Sequence, residues 1–138
     1  MFLDASAIVA ILAEEPGWQG LHTRLAQART RLYISGIARY EASQAIARLR
    51  SGKRKPTPVQ LAGARDAVDE FLAGVSAENI DIDKTIGSLA IEASMRYGKA
   101  VGHPADLNLG DCFAYACAKT HDVPLLYKGN DFSQTDLA

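Results

Sequence analysis

Hydrophobic residues along this chain fall into four short runs, separated by longer stretches in which they recur every three or four positions. The short segments lie at 1–3, 31–34, 80–82 and 123–127; the second has a polar start at Arg31, and the third carries Asp81 between two isoleucines. Apolar runs of this length that are bounded by turn residues predict buried strands, because helices need a longer pattern. The sequence therefore predicts four short strands.

The stretches between these runs predict helices, because hydrophobic residues three and four positions apart share one helical face. Ser6 is the expected N-cap of the first helix, and Asp111 is the expected start of the last. A long helix follows Gly36 and ends before the Pro- and Gly-containing loop at 51–58. The other predicted helices cover 7–14, 18–29, 59–72, 84–97 and 111–121.

Strands that alternate with helices are typical of the α/β class, with a central, mostly parallel sheet flanked by helices. The loop at 51–58 separates two helices rather than two domains, because neither side is long enough to bury a core alone. A length of 138 residues also matches the usual size of one domain. We therefore expect a single α/β domain over residues 1–138.

Four acids occupy positions that should meet at one edge of such a sheet. Asp4 follows the first strand, and Asp131 follows the last one. Asp111 begins the last helix, and Glu41 interrupts the apolar face of the long helix. Ligands of open α/β sheets bind at the carboxyl ends of the strands. Carboxylates that converge there would repel by roughly 3 kcal/mol per pair at about 5 Å and an effective dielectric near 20, so the cluster needs a cation.

The chemistry of these side chains favours Mg²⁺, with Mn²⁺ as the alternative, because hard carboxylate oxygens without a Cys or His set select these ions over zinc. Asp4 and Asp111 are the expected direct ligands, and the helix N-terminus favours ionised Asp111. Glu41 and Asp131 are expected to act through water. This predicts a phosphodiesterase in which water, not the ribose 2′-hydroxyl, attacks the phosphate.

Each acid also has a purely structural interpretation. Asp4 and Asp111 are good helix N-caps, and Asp131 lies in a good turn sequence. Glu41 could be an ordinary solvated helix residue. Burial without a partner is costly for a carboxylate, which favours the cation site for Asp4 in particular.

The charge of the chain requires any attraction to a polyanion to come from a local patch, because the net charge is −1. The densest cationic run comprises Arg48, Arg50, Lys53, Arg54 and Lys55. Contact with RNA phosphates and a solvated helix end are both open interpretations of this run.

The sequence carries no sign of secretion or of membrane insertion. The first strand lacks the basic region and long apolar run of a signal peptide, and no stretch approaches the roughly 18 apolar residues of a membrane span. Cys112 and Cys117 are expected to be reduced, because they point to different faces of one predicted helix. We expect a cytoplasmic protein.

Three segments of the chain resemble a known family. Residues 2–7 (FLDASA) resemble the opening of the PIN domain, and 107–116 (LNLGDCFAYA) with 124–132 (PLLYKGNDF) are similar to its VapC toxin branch. The resemblance spans nearly the whole chain. It implies a magnesium-dependent ribonuclease toxin that acts as a homodimer and is inhibited by a VapB-like antitoxin, with transfer or ribosomal RNA as candidate substrates.

The resemblance also implies roles for individual residues. Ser6 becomes a supporting hydroxyl, and Asn130 stands where relatives often carry a second acid. The family pattern assigns the acidic site to Asp4, Glu41, Asp111 and Asp131.

A receiver-type signalling module is the main alternative, since receivers also use acids at strand ends, Mg²⁺ and a lysine after the last strand, here Lys128. Receivers, however, carry an acid pair after the first strand, whereas this chain has Asp4 alone with Ser6 beyond it. A haloacid-type phosphatase is disfavoured for the same reason. A PIN fold kept only for binding is disfavoured by the intact acids.

Overall fold

The computed structural model describes residues 1–137, so Ala138, the last residue of the expected domain, lies outside the described residues. The elements are β1 (Phe2–Leu3), α1 (Ala5–Leu12), α2 (Trp18–Ala26), β2 (Tyr33–Ser35), α3 (Gly36–Ser51), α4 (Pro58–Gly74), β3 (Glu78–Ile80), α5 (Lys84–Tyr97), α6 (Leu109–Thr120) and β4 (Leu125–Leu126), with 3-10 turns at Lys99–Val101 and Asp131–Gln134. The predicted α/β class is confirmed.

The four strands form one parallel sheet in the order β3-β2-β1-β4. β1 lies inside the sheet, where Phe2 is in register with Tyr33 on one side and Leu125 on the other. Because all four strands run the same way, their carboxyl ends meet at one edge. The residues that follow β1, β2 and β4 therefore share that edge.

Two helix starts differ from the sequence-based expectation. The N-cap of α1 is Asp4 rather than Ser6, because β1 is only two residues long and the chain turns helical two residues earlier. The N-cap of α6 is Asn108 rather than Asp111, whose backbone N–H donates to the Asn108 side chain at 3.1 Å. Asn is at least as good a cap as Asp, and it comes first in the chain.

Other boundaries also shift, and β4 covers only Leu125–Leu126 rather than 123–127. α2 ends at Ala26 rather than 29, and β2 covers Tyr33–Ser35 rather than 31–34. β3 covers Glu78–Ile80 rather than 80–82, because its register is set by pairing with β2, including Glu78 N–H to the Leu32 carbonyl at 2.8 Å. Ile82 accordingly stays 38% exposed.

The core packs helices against the sheet with few large side chains. Phe2, Leu3, Leu126 and Tyr115 are almost fully buried. Alanines from α3 and α6 fill much of the remaining contact surface, which allows helices to approach closely. Cys112 and Cys117 are buried free thiols on α6. Within residues 1–137, no helix has both the length and the apolar character to span a membrane.

Candidate active site

A cleft of about 540 Å³ opens at the carboxyl edge of the sheet. All four predicted acids line it, and each comes from a different part of the chain. The lining comprises Asp4, Ala5, Ser6, Val9, Glu15, Glu41, Ala45, Arg48, Asn108, Asp111, Lys128, Gly129 and Asp131. The convergence expected from the strand-end positions is therefore present.

Asp4 is the most buried acid of the cleft, with 4% of its surface exposed. One of its oxygens, Oδ2, accepts hydrogen bonds from the Ser6 backbone N–H at 2.9 Å and from the Ser6 hydroxyl. Burial raises the pKa of this carboxyl despite these bonds, and the nearby Asp131 raises it further. Asp4 thus is a helix N-cap and also presents a carboxylate to the cleft.

Glu41 reaches the cleft from α3, where its carboxylate lies against the first turn of α6. A Cβ atom built on Gly110 would lie 2.2 Å from Glu41 Oε2, so the glycine leaves the space that the carboxylate occupies. Burial raises the pKa of Glu41 and Asp4 raises it further, whereas Arg48 opposes the shift. Glu41 is therefore half-buried beside other acids and is not a fully solvated helix residue.

Asp111 is the third residue of α6 and closes a capping box with Asn108. Its Oδ2 accepts from the Asn108 backbone N–H at 2.9 Å. Burial raises the pKa of Asp111 to about 7, and the charges of Asp4, Asp131 and Glu41 add to the shift while the bond from Asn108 opposes it. The expected preference of the helix terminus for an ionised acid is thus outweighed by burial in the metal-free protein.

Asp131 begins the 3-10 turn after β4 and is the most exposed of the four acids. Its charge raises the pKa of both Asp4 and Asp111, which places it within electrostatic reach of the two. Asn130 does not line the cleft, and its carbonyl accepts from the Ser133 backbone N–H at 3.0 Å. The turn interpretation and the site interpretation of Asp131 are compatible.

The predicted cationic run is divided by the structure. Arg48 lines the cleft, two helical turns from Glu41 on α3. Arg50 points to α4, where its guanidinium donates to the Gly63 carbonyl at 3.3 Å. The exposed remainder lies in the loop after α3 and comprises Lys53, Arg54 and Lys55.

Sequence reasoning missed one feature of the cleft, an ion pair between Glu15 and Lys128. Lys128 lies two residues after the end of β4, so the strand-end rule that selected the acids could have selected it as a cleft residue. Glu15 carries no such signal, because it reaches the cleft only through the way α1 ends.

The oxygen-only donor set fits a hard divalent cation such as Mg²⁺ or Mn²⁺. Within the described part of the chain, none of the four acids has an ion-pair partner, although Asp4 is almost fully buried. No three His, Cys, Asp or Glu side chains among residues 1–137 are already arranged to hold a metal ion. Some of the acids could therefore hold the ion through water rather than directly, because Mg²⁺ keeps several of its waters. Such a site needs unpaired carboxylates but does not need three of them within direct ligand distance.

These features define a class of protein: small α/β proteins with a parallel sheet and a cleft at the strand carboxyl ends that is lined by carboxylates without ion-pair partners in the described residues. Residues 1–137 match the family model described as "PIN domain", and the chain belongs to that family. It is 52% identical over 139 aligned positions to a VapC ribonuclease of Rhizobium meliloti, covering 99% of this chain and 98% of the relative.

Two mycobacterial proteins extend the similarity. Ribonuclease VapC30 of Mycobacterium tuberculosis is 37% identical, with 100% of this chain and 96% of the relative covered. Ribonuclease VapC42 of the same species is 34% identical, with 99% and 96% covered. The predicted resemblance to the VapC branch is thereby confirmed, and the receiver interpretation loses its basis. Lys128, on which that interpretation relied, is paired with Glu15.

Proposed function

We propose that this protein is a metal-dependent endoribonuclease that acts as the toxin of a toxin-antitoxin pair. The observation that carries the proposal is the convergence, in one cleft of about 540 Å³, of four carboxylates that form no ion pair within residues 1–137. The names of the VapC relatives support RNA as the substrate. Transfer RNA and ribosomal RNA are the candidate classes.

Asp4 and Asp111 would hold Mg²⁺ or Mn²⁺, because they are the two most buried acids of the cleft and are the most in need of a neutralising charge. When bound, the ion lowers the pKa of a coordinated water and stabilises charge on the phosphate. Glu41 and Asp131, which line the same cleft, would orient water. The raised pKa of Glu41 suits a carboxylate that accepts a proton from the attacking water.

Ser6 would keep the Asp4 carboxylate in one orientation. Its hydroxyl donates to Asp4 Oδ2 and accepts from the Lys128 backbone N–H at 3.0 Å. The hydroxyl thus donates one hydrogen bond and accepts another, so the Asp4 carboxylate is connected to the segment after β4.

Arg48 is our first candidate for a side chain that contacts an RNA phosphate, because it is the member of the cationic run that lines the cleft. Lys53, Arg54 and Lys55 would extend the contact along the loop after α3 if the RNA continues that way. A loss of RNA binding that is larger in Arg48→Gln than in Arg54→Gln supports this order, and the reverse order contradicts it.

A VapB-like antitoxin is the expected inhibitor, and an acidic cleft favours a basic side chain as its occupant. An arginine that reaches Asp4, Glu41 or Asp111 would replace the cation electrostatically. If footprinting of the complex left these acids fully accessible, inhibition by occupation of the cleft would be wrong. The two buried free thiols suit the cytoplasmic location that we expect for such a pair.

The expected homodimer has a candidate contact surface in an apolar groove of about 630 Å³ between α5 and α6. Leu109 and Ile91 line it and are 68% and 64% exposed. A patch that offers both a groove and projecting apolar side chains can pair with its own copy across a two-fold axis. We therefore assign the second subunit to this face.

The chemistry of the cleaved ends tests the proposed reaction. Attack by a metal-activated water leaves a 5′-phosphate and a 3′-hydroxyl, whereas attack by the 2′-hydroxyl leaves a 2′,3′-cyclic phosphate. The measurement is end-labelling of RNA cleaved with and without EDTA. Cyclic phosphate ends, or cleavage that survives chelation, would refute the mechanism even if RNA were the substrate.

A further inference from the structure

Lys128 is held at both ends by residues of the first helical region. Its backbone N–H donates to the Ser6 hydroxyl at 3.0 Å, and its ammonium group forms an ion pair with Glu15. Both side chains of the pair are about one third exposed, at 34% and 32%. The pair is therefore shielded more than an ordinary surface ion pair.

The position of Glu15 is fixed by the way α1 ends. Glu14 adopts a left-handed conformation with φ of 51°, and the Glu15 backbone N–H donates to the Ala10 carbonyl at 2.9 Å. This is a Schellman-type helix end, in which the residue after the left-handed one folds back on the last turn. Glu15 is thus held by backbone bonds at the rim of the cleft.

Lys128 begins the segment that carries Asp131. β4 is two residues long, and Gly129 turns the chain with φ of 101° before the 3-10 turn begins at Asp131. Because Asp131 is exposed and forms no ion pair in the described residues, its place opposite Asp4 depends on how this segment is anchored. Its far end is fixed by Phe132, which is 1% exposed, and its start is fixed by the two contacts of Lys128.

We propose that the Glu15–Lys128 ion pair is a positioning device that holds Asp131 against Asp4 for cation binding. The inference rests on the proposed function, because it takes the cleft to be a cation site. Glu15 and Lys128 act through Asp131 and do not contact the reacting groups.

A purely electrostatic role for the same two residues makes a different prediction. Removing the Lys128 charge would then strengthen cation binding, because the cleft becomes more negative, while removing the Glu15 charge would weaken it. If the pair positions Asp131, both single changes weaken binding. The double variant Glu15→Gln with Lys128→Gln keeps the net charge of the cleft and removes only the pair.

The experiment is calorimetric titration of the purified full chain with Mn²⁺. We expect binding by the double glutamine variant to be about threefold weaker than by the wild type, in the range that partly exposed ion pairs support. Lys128→Gln alone should also weaken binding. The exchanged pair, Glu15→Lys with Lys128→Glu, should recover most of the wild-type affinity. Unfolding by urea checks that each variant is folded.

A matched control removes an ion pair far from the cleft, between Arg31 and Glu78 at 3.1 Å, by changing both residues to Gln. Its Mn²⁺ affinity should equal that of the wild type. Tighter binding by Lys128→Gln, or unchanged binding by the double variant, would overturn the positioning role. Absence of Mn²⁺ binding by the wild type would instead refute the proposed function and the inference with it.

Discussion

Two cavities meet at the start of α6, and they are opposite in character. Asn108 borders both the acidic cleft of about 540 Å³ and the apolar groove of about 630 Å³. The larger cavity is lined by no acid, while in the smaller one burial and the charges of Asp4, Asp131 and Glu41 raise the pKa of Asp111. Cavity size alone would therefore point to the wrong chemistry.

The difference shows that each cavity of the isolated chain carries its own energetic cost, which a different kind of partner would remove. In the cleft, Asp4 is almost fully buried and forms no ion pair within residues 1–137, which costs free energy until a cation arrives. In the groove, apolar side chains remain in water, which costs free energy until another surface covers them. One helix terminus thus supports two surfaces that require different partners, and each prediction below concerns one or both of them.

The largest effect is expected where the charge is densest. Asp4→Asn and Asp111→Asn should each lower RNA cleavage by more than about a hundredfold, because even residues that only support metal ligands cost 10- to 100-fold. Each change keeps the shape and removes a charge that the cation needs. The measurement is single-turnover cleavage at saturating Mg²⁺.

The control for these variants is Asp81→Asn, which removes an exposed carboxylate in the loop before α5, outside the cleft. It should cleave RNA like the wild type. Full activity of either cleft variant at saturating Mg²⁺ would show that the assigned ligands are wrong.

Much of the fold and of the cleft could be predicted from local sequence signals. Short apolar segments predict the strands, and the rule that ligands bind at strand carboxyl ends predicts that Asp4, Asp111 and Asp131 lie together. Glu41 could be selected because a charged residue inside an apolar helical face needs a reason. Each of these signals is local, because it depends only on a few neighbouring residues in the sequence.

The features that could not be predicted depend on residues far apart in the chain. The ends of β3 follow from its register with β2, which is a property of the pair. The need for glycine at 110 arises from the carboxylate of Glu41 on another helix. The contact of Glu15 with Lys128 joins residues 113 positions apart.

The second effect concerns the stability of the metal-free protein. The pKa of Asp111 is raised from 3.8 to about 7 in the folded state, so the folded protein disfavours the ionised form. The stability that protonated Asp111 contributes at low pH is lost as the pH rises from about 4 to about 7. Asp111→Asn carries no such loss, so its advantage over the wild type should grow across that window.

We expect that advantage to reach about 2 kcal/mol at pH 8, roughly half of what a fully buried shift implies, because the carboxyl is partly solvated. Urea unfolding in EDTA between pH 4 and 8 measures it. Adding Mn²⁺ should reverse the order, since the wild type binds the ion better. A constant difference across the pH range would mean that the carboxyl does not titrate in the expected window.

The third effect tests the apolar side of the comparison. Leu109→Glu introduces a charge at a position that is 68% exposed in the single chain but should be buried between two copies. An acid in the first turn of α6 is compatible with the helix dipole, so the fold should tolerate it. We expect the dimer dissociation constant to rise at least about tenfold, measured by analytical ultracentrifugation.

Val59→Glu is the matched control, because Val59 is 81% exposed on α4 and lies outside the groove. It should leave the dissociation constant unchanged. Equal effects of the two variants would move the interface away from the groove, and a monomeric wild type would remove the homodimer from the proposal.

The smallest expected effect is on stability, and it concerns one residue with a left-handed backbone next to each of the two cavities. Glu14 precedes the cleft residue Glu15, and Asp106 precedes the groove residue Leu107; both have left-handed backbones, with φ of 51° each. A left-handed conformation costs a residue with a Cβ about 1–2 kcal/mol, and glycine avoids this cost while losing about 0.5–1 kcal/mol through its freer unfolded chain. Glu14→Gly should therefore stabilise the protein by about 0.5 kcal/mol. Asp106→Gly should gain less, because it also loses the 3.8 Å ion pair with Lys99.

Urea midpoints at unchanged slope measure both glycine variants, with Glu14→Ala as the control that keeps the Cβ atom and removes the charge. If Glu14→Ala stabilised the protein as much as Glu14→Gly, charge rather than backbone conformation would be the cause. If Glu14→Gly weakened Mn²⁺ binding while Glu14→Ala did not, the freer glycine backbone would have loosened Glu15 at the rim of the cleft.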